Sequence, residues 1–213
     1  TSVRRLGRQL PKGVFLIPQG QKLIWTVAQD TIPASVFYIT DTVMPRKLRR
    51  VTVQAENTVL PENPARNVIG FVPGTAVPDS FIVFCAHYDH LGRMGEAIFP
   101  GANDNASGTA FMLALAEYYA ANPQRYSIAF IAFSGEEAGL LGSKYYVSNP
   151  LFPLAAIRFL INIDMMADAG QGITVVNATE YPEAFSLLQQ INEKKAYLPD
   201  VRSRGKAANS DHH

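Results

Sequence analysis

An α/β sandwich of three layers, with a mainly parallel or mixed central sheet flanked by helices and a small β-rich N-terminal portion ahead of it, is the architecture this chain predicts. Three apolar runs are the first ground: Phe81–Ala86, Ser127–Phe133 and Phe159–Ile163. Continuous runs of this length suit strands buried on both faces, as in a largely parallel sheet covered by helices. The second ground is alternation. From Asn67 onward strand-like and helix-like stretches take turns: strands at Val68–Val72 and Phe81–Ala86, a helix from about Ala106 to Ala121, a strand at Ser127–Phe133, a helix near Ala138–Val147, strands at Phe159–Ile163 and Ile173–Val176, and a helix over Pro182–Lys195. Such alternation implies βαβ units. The third ground is the set of polar residues just past the apolar runs. His87, Asp89 and His90 end the first, Glu136 and Glu137 the second, and Asp164 the third. Ligand crevices in such sheets lie beyond the carboxyl ends of the strands, so these residues are expected to converge on one sheet edge.

Residues 1–66 have a different texture. Short β-like pieces, Gly13–Ile17, Lys22–Trp25 and Ser35–Ile39, are separated by Pro, Gly and Gln, and none carries a cluster of metal-type ligands. The basic run Arg46–Arg50 reads as a solvated loop or strand end. Pro61–Pro64 looks like a junction, which divides the chain into an N-terminal portion, 1–66, and a main domain, 67–213.

Composition narrows the function. With 213 residues, 47% hydrophobic and 17% charged, the chain can bury one sizeable core and is not a disordered polymer. Nineteen basic against 18 acidic residues leave a net charge of +1, so no field points to nucleic acid. No stretch approaches the roughly 18–20 apolar residues of a membrane span. The single cysteine, Cys85, lies inside an apolar run and reads as a small buried hydrophobe; a metal here must be held by His, Asp and Glu.

The polar residues at the strand ends each admit a chemical role. His87 and Asp89 project to the same side of an extended segment, so His87 is a candidate ligand and Asp89 its orienter, a carboxylate accepting the second ring N–H. His90 is the alternative ligand, pointing elsewhere while the segment stays extended. Asp104, in the turn-rich segment Gly101–Gly108, is either the cap of the following helix, a role open to Asn105 too, or a carboxylate facing a metal. Glu136 and Glu137 either open a helix in solvent or repel one another at a strand end until a cation relieves them, one ligating and the other free to take a proton. Asp164 follows a fully apolar run and is hard to read as surface. Asp104, Glu137 and Asp164 supply three negative charges; with a hydroxide they balance two Zn²⁺ ions, and two metals about 3.5–4 Å apart bridged by a carboxylate suit hydrolysis.

Five segments together resemble a known family. His87-Tyr88-Asp89-His90-Leu91-Gly92, Gly101–Gly108, Phe133–Gly139, Asn162-Ile163-Asp164-Met165 and Ser210-Asp211-His212 are similar, in order and spacing, to the motifs of the co-catalytic zinc aminopeptidases of the bacterial leucyl aminopeptidase type. Glutamate carboxypeptidases, glutaminyl cyclases and the transferrin-receptor ectodomain share that family. The resemblance covers about residues 67–213 and implies a zinc-exopeptidase-like sheet. It implies that His87 and Asp164 bind one Zn²⁺, Glu137 and His212 the other, and Asp104 both, with a cis bond at Asp104–Asn105. By the same resemblance Asp89 orients His87, and Glu136 is the general base that takes a proton from the attacking water.

The implied activity is hydrolysis at the free N-terminus of a peptide, with peptide substrates as partners and an extracytoplasmic, periplasmic or secreted location. The same resemblance makes the first sixty residues similar to the tail of a protease-associated insert. Because the sequence ends one residue after His212, where the family continues with a strand and helix over the site, the second Zn²⁺ is expected to be weak or absent here. Two other readings stand beside this one: a glutaminyl-cyclase-like enzyme with a single zinc, and a non-catalytic binding domain.

Overall fold

The computed structural model describes residues 12–20, 34–40, 50–54, 60 and 62–212. The strand expected at Lys22–Trp25 and most of the Arg46–Arg50 run lie outside the described residues. The chain divides into two compact units, Thr1–Pro64 and Ala65–His213. In the first, β1 (Gly13–Pro18) pairs in parallel with β2 (Ala34–Ile39).

The second unit is built on a four-stranded sheet of β3 (Val68–Val72), β4 (Val77–His87), β7 (Tyr126–Phe133) and β8 (Ile157–Asn162), in the order β3-β7-β4-β8. β4 runs parallel to both neighbours, and β3 is antiparallel to β7, so the sheet is mixed. A small hairpin, β5 (Gly92–Met94) with β6 (Ala97–Phe99), follows β4. Helix α1 (Gly108–Ala121) links β4 to β7, and α2 (Leu141–Ser148) lies between β7 and β8. Beyond them, β9 (Ile173–Val175), α3 (Pro182–Lys195) and β10 (Val201–Ser203) form a second, two-stranded parallel unit. Among the described residues no helix is long and apolar enough to cross a membrane.

The unbroken apolar runs are explained by burial on both faces. Side chains alternate along a strand, so one half of β4 (Phe81, Val83, Cys85) joins Ala129, Ile131 and Phe133 of β7 under Tyr146 of α2. The other half (Phe84, Ala86) joins Ile128 and Phe130 under Met112 of α1. The three layers are thereby α1, sheet and α2. Aromatic stacking continues the packing: Phe81 lies on Phe152 with ring centroids 4.1 Å apart, and Phe84 on Phe130 at 5.8 Å.

Register places the strand ends together. His87 pairs with Phe133, and Cys85 with Asn162, so β4, β7 and β8 terminate at one edge and release their next residues into the same space.

Two helices start later than their periodicity suggests. The helix expected from Ala106 begins at Gly108, after Asp104 and Asn105, whose backbones are non-helical; the peptide bond between those two is cis, as the resemblance implies. The helix expected near Ala138 begins at Leu141, after Gly139 (φ 107°) and Leu140 (φ 62°) turn through left-handed conformations. α2 then sits so close to β7 that a Cβ on Gly142 would collide with the Ser134 backbone and Asn67 Oδ1. Asn67 binds both sides of that contact, donating to Gly142 O at 2.8 Å and accepting Ser134 N–H at 3.2 Å.

This packing has a measurable consequence. Ile131 is 0% exposed in the central layer, whereas Ile98 on β6 is 72% exposed. By chemical denaturation, Ile131→Ala is expected to cost about 2–5 kcal/mol, and Ile98→Ala to stay within about 0.5 kcal/mol of the parent.

Candidate metal centre

The shared strand edge assembles the polar cluster. His87 is the last residue of β4 and 1% exposed, and Thr109 of α1 donates to its backbone carbonyl at 3.0 Å. Its Nδ1 faces the main-chain carbonyl of Asp89 at 3.1 Å, and as N–H it donates there. That leaves Nε2 aimed at two carboxylates, Asp104 Oδ1 at 3.2 Å and Asp164 Oδ1 at 3.6 Å. Asp104 comes from the turn before α1 and Asp164 from the loop after β8. The cap of α1 is not Asp104: Asn105 Oδ1 accepts the Gly108 N–H at 3.1 Å, and Asp104 is left facing His87.

Asp89 holds a different place from the one its spacing suggests. Its carboxylate stands 3.8 Å from His87 Nδ1, so the ring is oriented by the Asp89 backbone instead. The carboxylate accepts the backbone N–H groups of Glu136 and Glu137 at 3.1 and 3.2 Å. Asp89 therefore fixes the β4 turn to the β7 turn. Leu140 and Gly139 N–H close that second turn on Glu136 O at 2.9 and 2.8 Å, so it presents both glutamates before α2 begins.

A second grouping arises from the bend at Asp89. The chain leaves the extended path, and His90 returns toward the cluster with Nδ1 2.8 Å from Glu137 Oε1. Its ring rests against Gly101, whose φ of 68° suits glycine and where a Cβ would meet the ring at 3.0 Å. The described residues thus hold two sets whose potential ligand atoms lie within 4.8 Å of one another: His87, Asp104 and Asp164, and His90, Asp104 and Glu137. Asp104 belongs to both.

His212, expected from the family resemblance to ligate beside Glu137, stands in neither set. Its Nε2 meets the Ala207 carbonyl at 3.0 Å. The segment before it is pinned at two points, which aims the imidazole back along its own chain. Ser210 donates to Asp164 Oδ2 at 3.0 Å and accepts Asn162 Nδ2–H at 2.8 Å, and buried Asp211 accepts the Ser143 hydroxyl at 2.6 Å. Cys85, 0% exposed as its apolar run implied, extends this network by donating to Asn162 Oδ1 at 3.3 Å. The sequence signals of this network are Asn162, an amide in an apolar strand, and the Ser210-Asp211-His212 motif; the part played by Ser143 needed the fold.

The donor set fits divalent zinc. Imidazole nitrogen and carboxylate oxygen are ligands that zinc accepts. Of their buried atoms, Asp164 Oδ1 makes no hydrogen bond, and His90 Nδ1 and Glu137 Oε1 meet only one another. Buried polar atoms left in that condition are costly unless something else satisfies them, and a cation at the convergence point would do so.

The protonation pattern agrees. Burial pushes Glu136 up to about 7, helped by Asp211, Glu137 and Asp164 and opposed by His87. Burial, then Asp104, raises Glu137 as well. For His87 burial works against the charged form, but Asp164 and Glu136, with the Asp89 carbonyl, outweigh it and raise the ring to about 9. Asp164 is lowered, first by His87 and then, against its own burial, by the Ser210 hydroxyl. These are carboxylates competing for too little positive charge.

Comparison with known proteins agrees with the geometry. The profile of peptidase family M28 matches residues 67–213. Aminopeptidase YwaD of Bacillus subtilis is 42% identical over 86 residues, 40% of this chain and 18% of that protein. Among solved structures, the zinc aminopeptidase BSAP from Bacillus subtilis superimposes with a TM-score of 0.54 at 31% identity, over 68% of this chain and 36% of the other. An Acidobacteriales bacterium glutaminyl cyclase does so at 0.57 and 26%, over 68% and 53%. The chain spans less than two thirds of the length of each of these relatives. With the motif segments gathered at one sheet edge and a profile match running from Asn67 to the last residue, the chain belongs to peptidase family M28.

Proposed function

We propose that the domain hydrolyses the N-terminal residue from peptides as a two-zinc aminopeptidase. The observation that carries this is the convergence of His87, Asp104 and Asp164 beside Glu136. The two positions would be held by His87, Asp104 and Asp164 and by His90, Asp104 and Glu137, with Asp104 shared. Zinc held there would polarise a substrate carbonyl and lower the pKa of water.

The chain's own residues divide the remaining work. Glu136 stands against the ligand cluster without belonging to either ligand set, which suits a group that takes a proton from the attacking water and returns it to the leaving amine. Asp89 holds Glu136 in place through its backbone N–H, so general base and ligand Glu137 are set by one anchor. His87 keeps its ring orientation through the Asp89 carbonyl, which directs Nε2 into the site.

A glutaminyl-cyclase activity is the second reading, favoured by the likeness to the Acidobacteriales protein at a TM-score of 0.57. Release of ammonia from glutaminyl peptides, set against release of nitroaniline from aminoacyl-nitroanilides, separates the two. For the aminopeptidase, Glu136→Gln is expected to lower kcat by about 10²–10⁴-fold while zinc content by elemental analysis stays at the parent level. Loss of zinc together with activity would contradict the role of Glu136 as a base.

Charge also predicts how the protein responds to pH in chelator. Glu136 rises from an ordinary 4.5 to about 7, and His87 from 6.5 to about 9. In both cases the folded state binds more protons than the unfolded chain, so stability falls as pH rises, between about 4.5 and 7 for Glu136 and about 6.5 and 9 for His87. The melting temperature in chelator is expected to fall from pH 5.5 to 9, and zinc to raise it most at the alkaline end, where it competes with fewest protons. A flat profile would contradict the cluster's electrostatics.

A further inference from the structure

The turn carrying Asp104 and the loop carrying Asp164 are joined by a ladder that the chemistry above does not use. Three consecutive backbone N–H groups of the loop donate to side chains of the turn: Met165 to Asn105 Oδ1 at 3.1 Å, Met166 to Ser107 Oγ at 2.8 Å and Ala167 to Asn103 Oδ1 at 3.1 Å. Asn105 also donates through Nδ2 to the Ile163 carbonyl at 2.9 Å. One buried amide therefore grips the chain on both sides of Asp164. The turn is braced in itself, because the Ser107 hydroxyl donates to Asn103 O at 2.6 Å. A Cβ on Gly108 would strike Asn105 Oδ1 and Ile163 O, so glycine is what lets the two segments approach this closely.

The ladder acts where backbone geometry is unfavourable. Met165 has a φ of 59°, a left-handed conformation that residues other than glycine seldom adopt. Short polar side chains bonded to backbone N–H groups are a standard means of holding such irregular segments. Asp104 and Asp164 face the same His87 Nε2 at 3.2 and 3.6 Å from segments far apart in sequence. Ligand atoms must keep within a few tenths of an ångström of their ideal distance for a metal to bind well. The cross-links between the two segments are what can keep that spacing.

We propose that Asn103, Asn105 and Ser107 are positioning residues whose ladder sets the separation of Asp104 and Asp164 and thereby the metal affinity of the position those carboxylates share with His87. The proposal rests on the metal-centre reading above. Ser107 and Asn103 are the rungs to cut, since both are half-buried, whereas Asn105 is 1% exposed and its loss endangers the fold.

The test compares the parent with Ser107→Ala, Asn103→Ala, the oxygen-retaining Ser107→Thr, and Ser148→Ala as a control that removes an exposed hydroxyl bonded to the Lys144 carbonyl of α2. Hydrogen exchange is read on metal-free protein, and zinc affinity by competition with a chromophoric chelator. Expected are faster exchange of the Met166 amide in Ser107→Ala and of the Ala167 amide in Asn103→Ala. Zinc affinity should fall about 10–100-fold in both, with Ser107→Thr and Ser148→Ala close to the parent. Faster exchange with unchanged zinc affinity would overturn the positioning role, and unchanged exchange would overturn the ladder itself. A parent that binds no zinc while its Met166 amide is protected would instead bring down the metal-centre reading, and the positioning role with it.

Discussion

An imidazole that is 1% exposed, closed in by apolar strands and facing two carboxylates, is the constraint on which the rest of this domain turns. Buried ionisable groups are tolerated only when their charges are matched and their hydrogen bonds made. His87 satisfies the first through Asp104 and Asp164 and the second through the Asp89 carbonyl and its place at the end of β4. Glu136, Glu137 and Asp211 then bring more negative charge than His87 and His90 can balance, and burial raises all three. A divalent cation is the component that makes such an arrangement favourable, so fold and chemistry meet at this one side chain.

Sheet topology explains why the cluster exists where it does. β4 is flanked in parallel by β7 and β8, so three strand ends share an edge and deliver Asp89, Glu136 with Glu137, and Asp164 from residues far apart in sequence. The strands contribute position, and the turns contribute direction. Asp89 locks the turn after β7 to the turn after β4 through two backbone N–H groups, and Asn105 ties the turn before α1 to the loop after β8 on both sides of Asp164. The acidic residues that face the centre are thus held by polar side chains on neighbouring segments as well as by their own strands.

Local encoding decides how much of this domain is legible in the sequence. Runs such as Phe81–Ala86 announce doubly buried strands, and the polar residues just past them announce the edge, because ligand crevices of such sheets lie beyond the carboxyl ends of the strands. Helix α3 begins and ends where periodicity and Pro182 put it. Tertiary direction is the part a linear pattern does not carry. Asp104 and Asn105 are both good capping types, and only the backbone between them shows that Asn105 takes the Gly108 N–H while Asp104 turns to His87. His90 points away from the centre on an extended segment; the bend at Asp89 reverses it. His212 resembles a ligand on motif grounds, yet Ser143 and Asp164 pin its neighbours and send its ring to Ala207. The role of Asp89 is half legible: spacing pairs it with His87, but the bond runs through its backbone carbonyl and not through the carboxylate.

Anomalous scattering at the zinc edge from crystals of the zinc-loaded protein would locate the metal against His87. One peak is expected within bonding distance of His87 Nε2, Asp104 and Asp164, and a second between Asp104, Glu137 and His90. No peak beside His87 in zinc-saturated crystals, or zinc held only by residues outside this cluster, would contradict this placement.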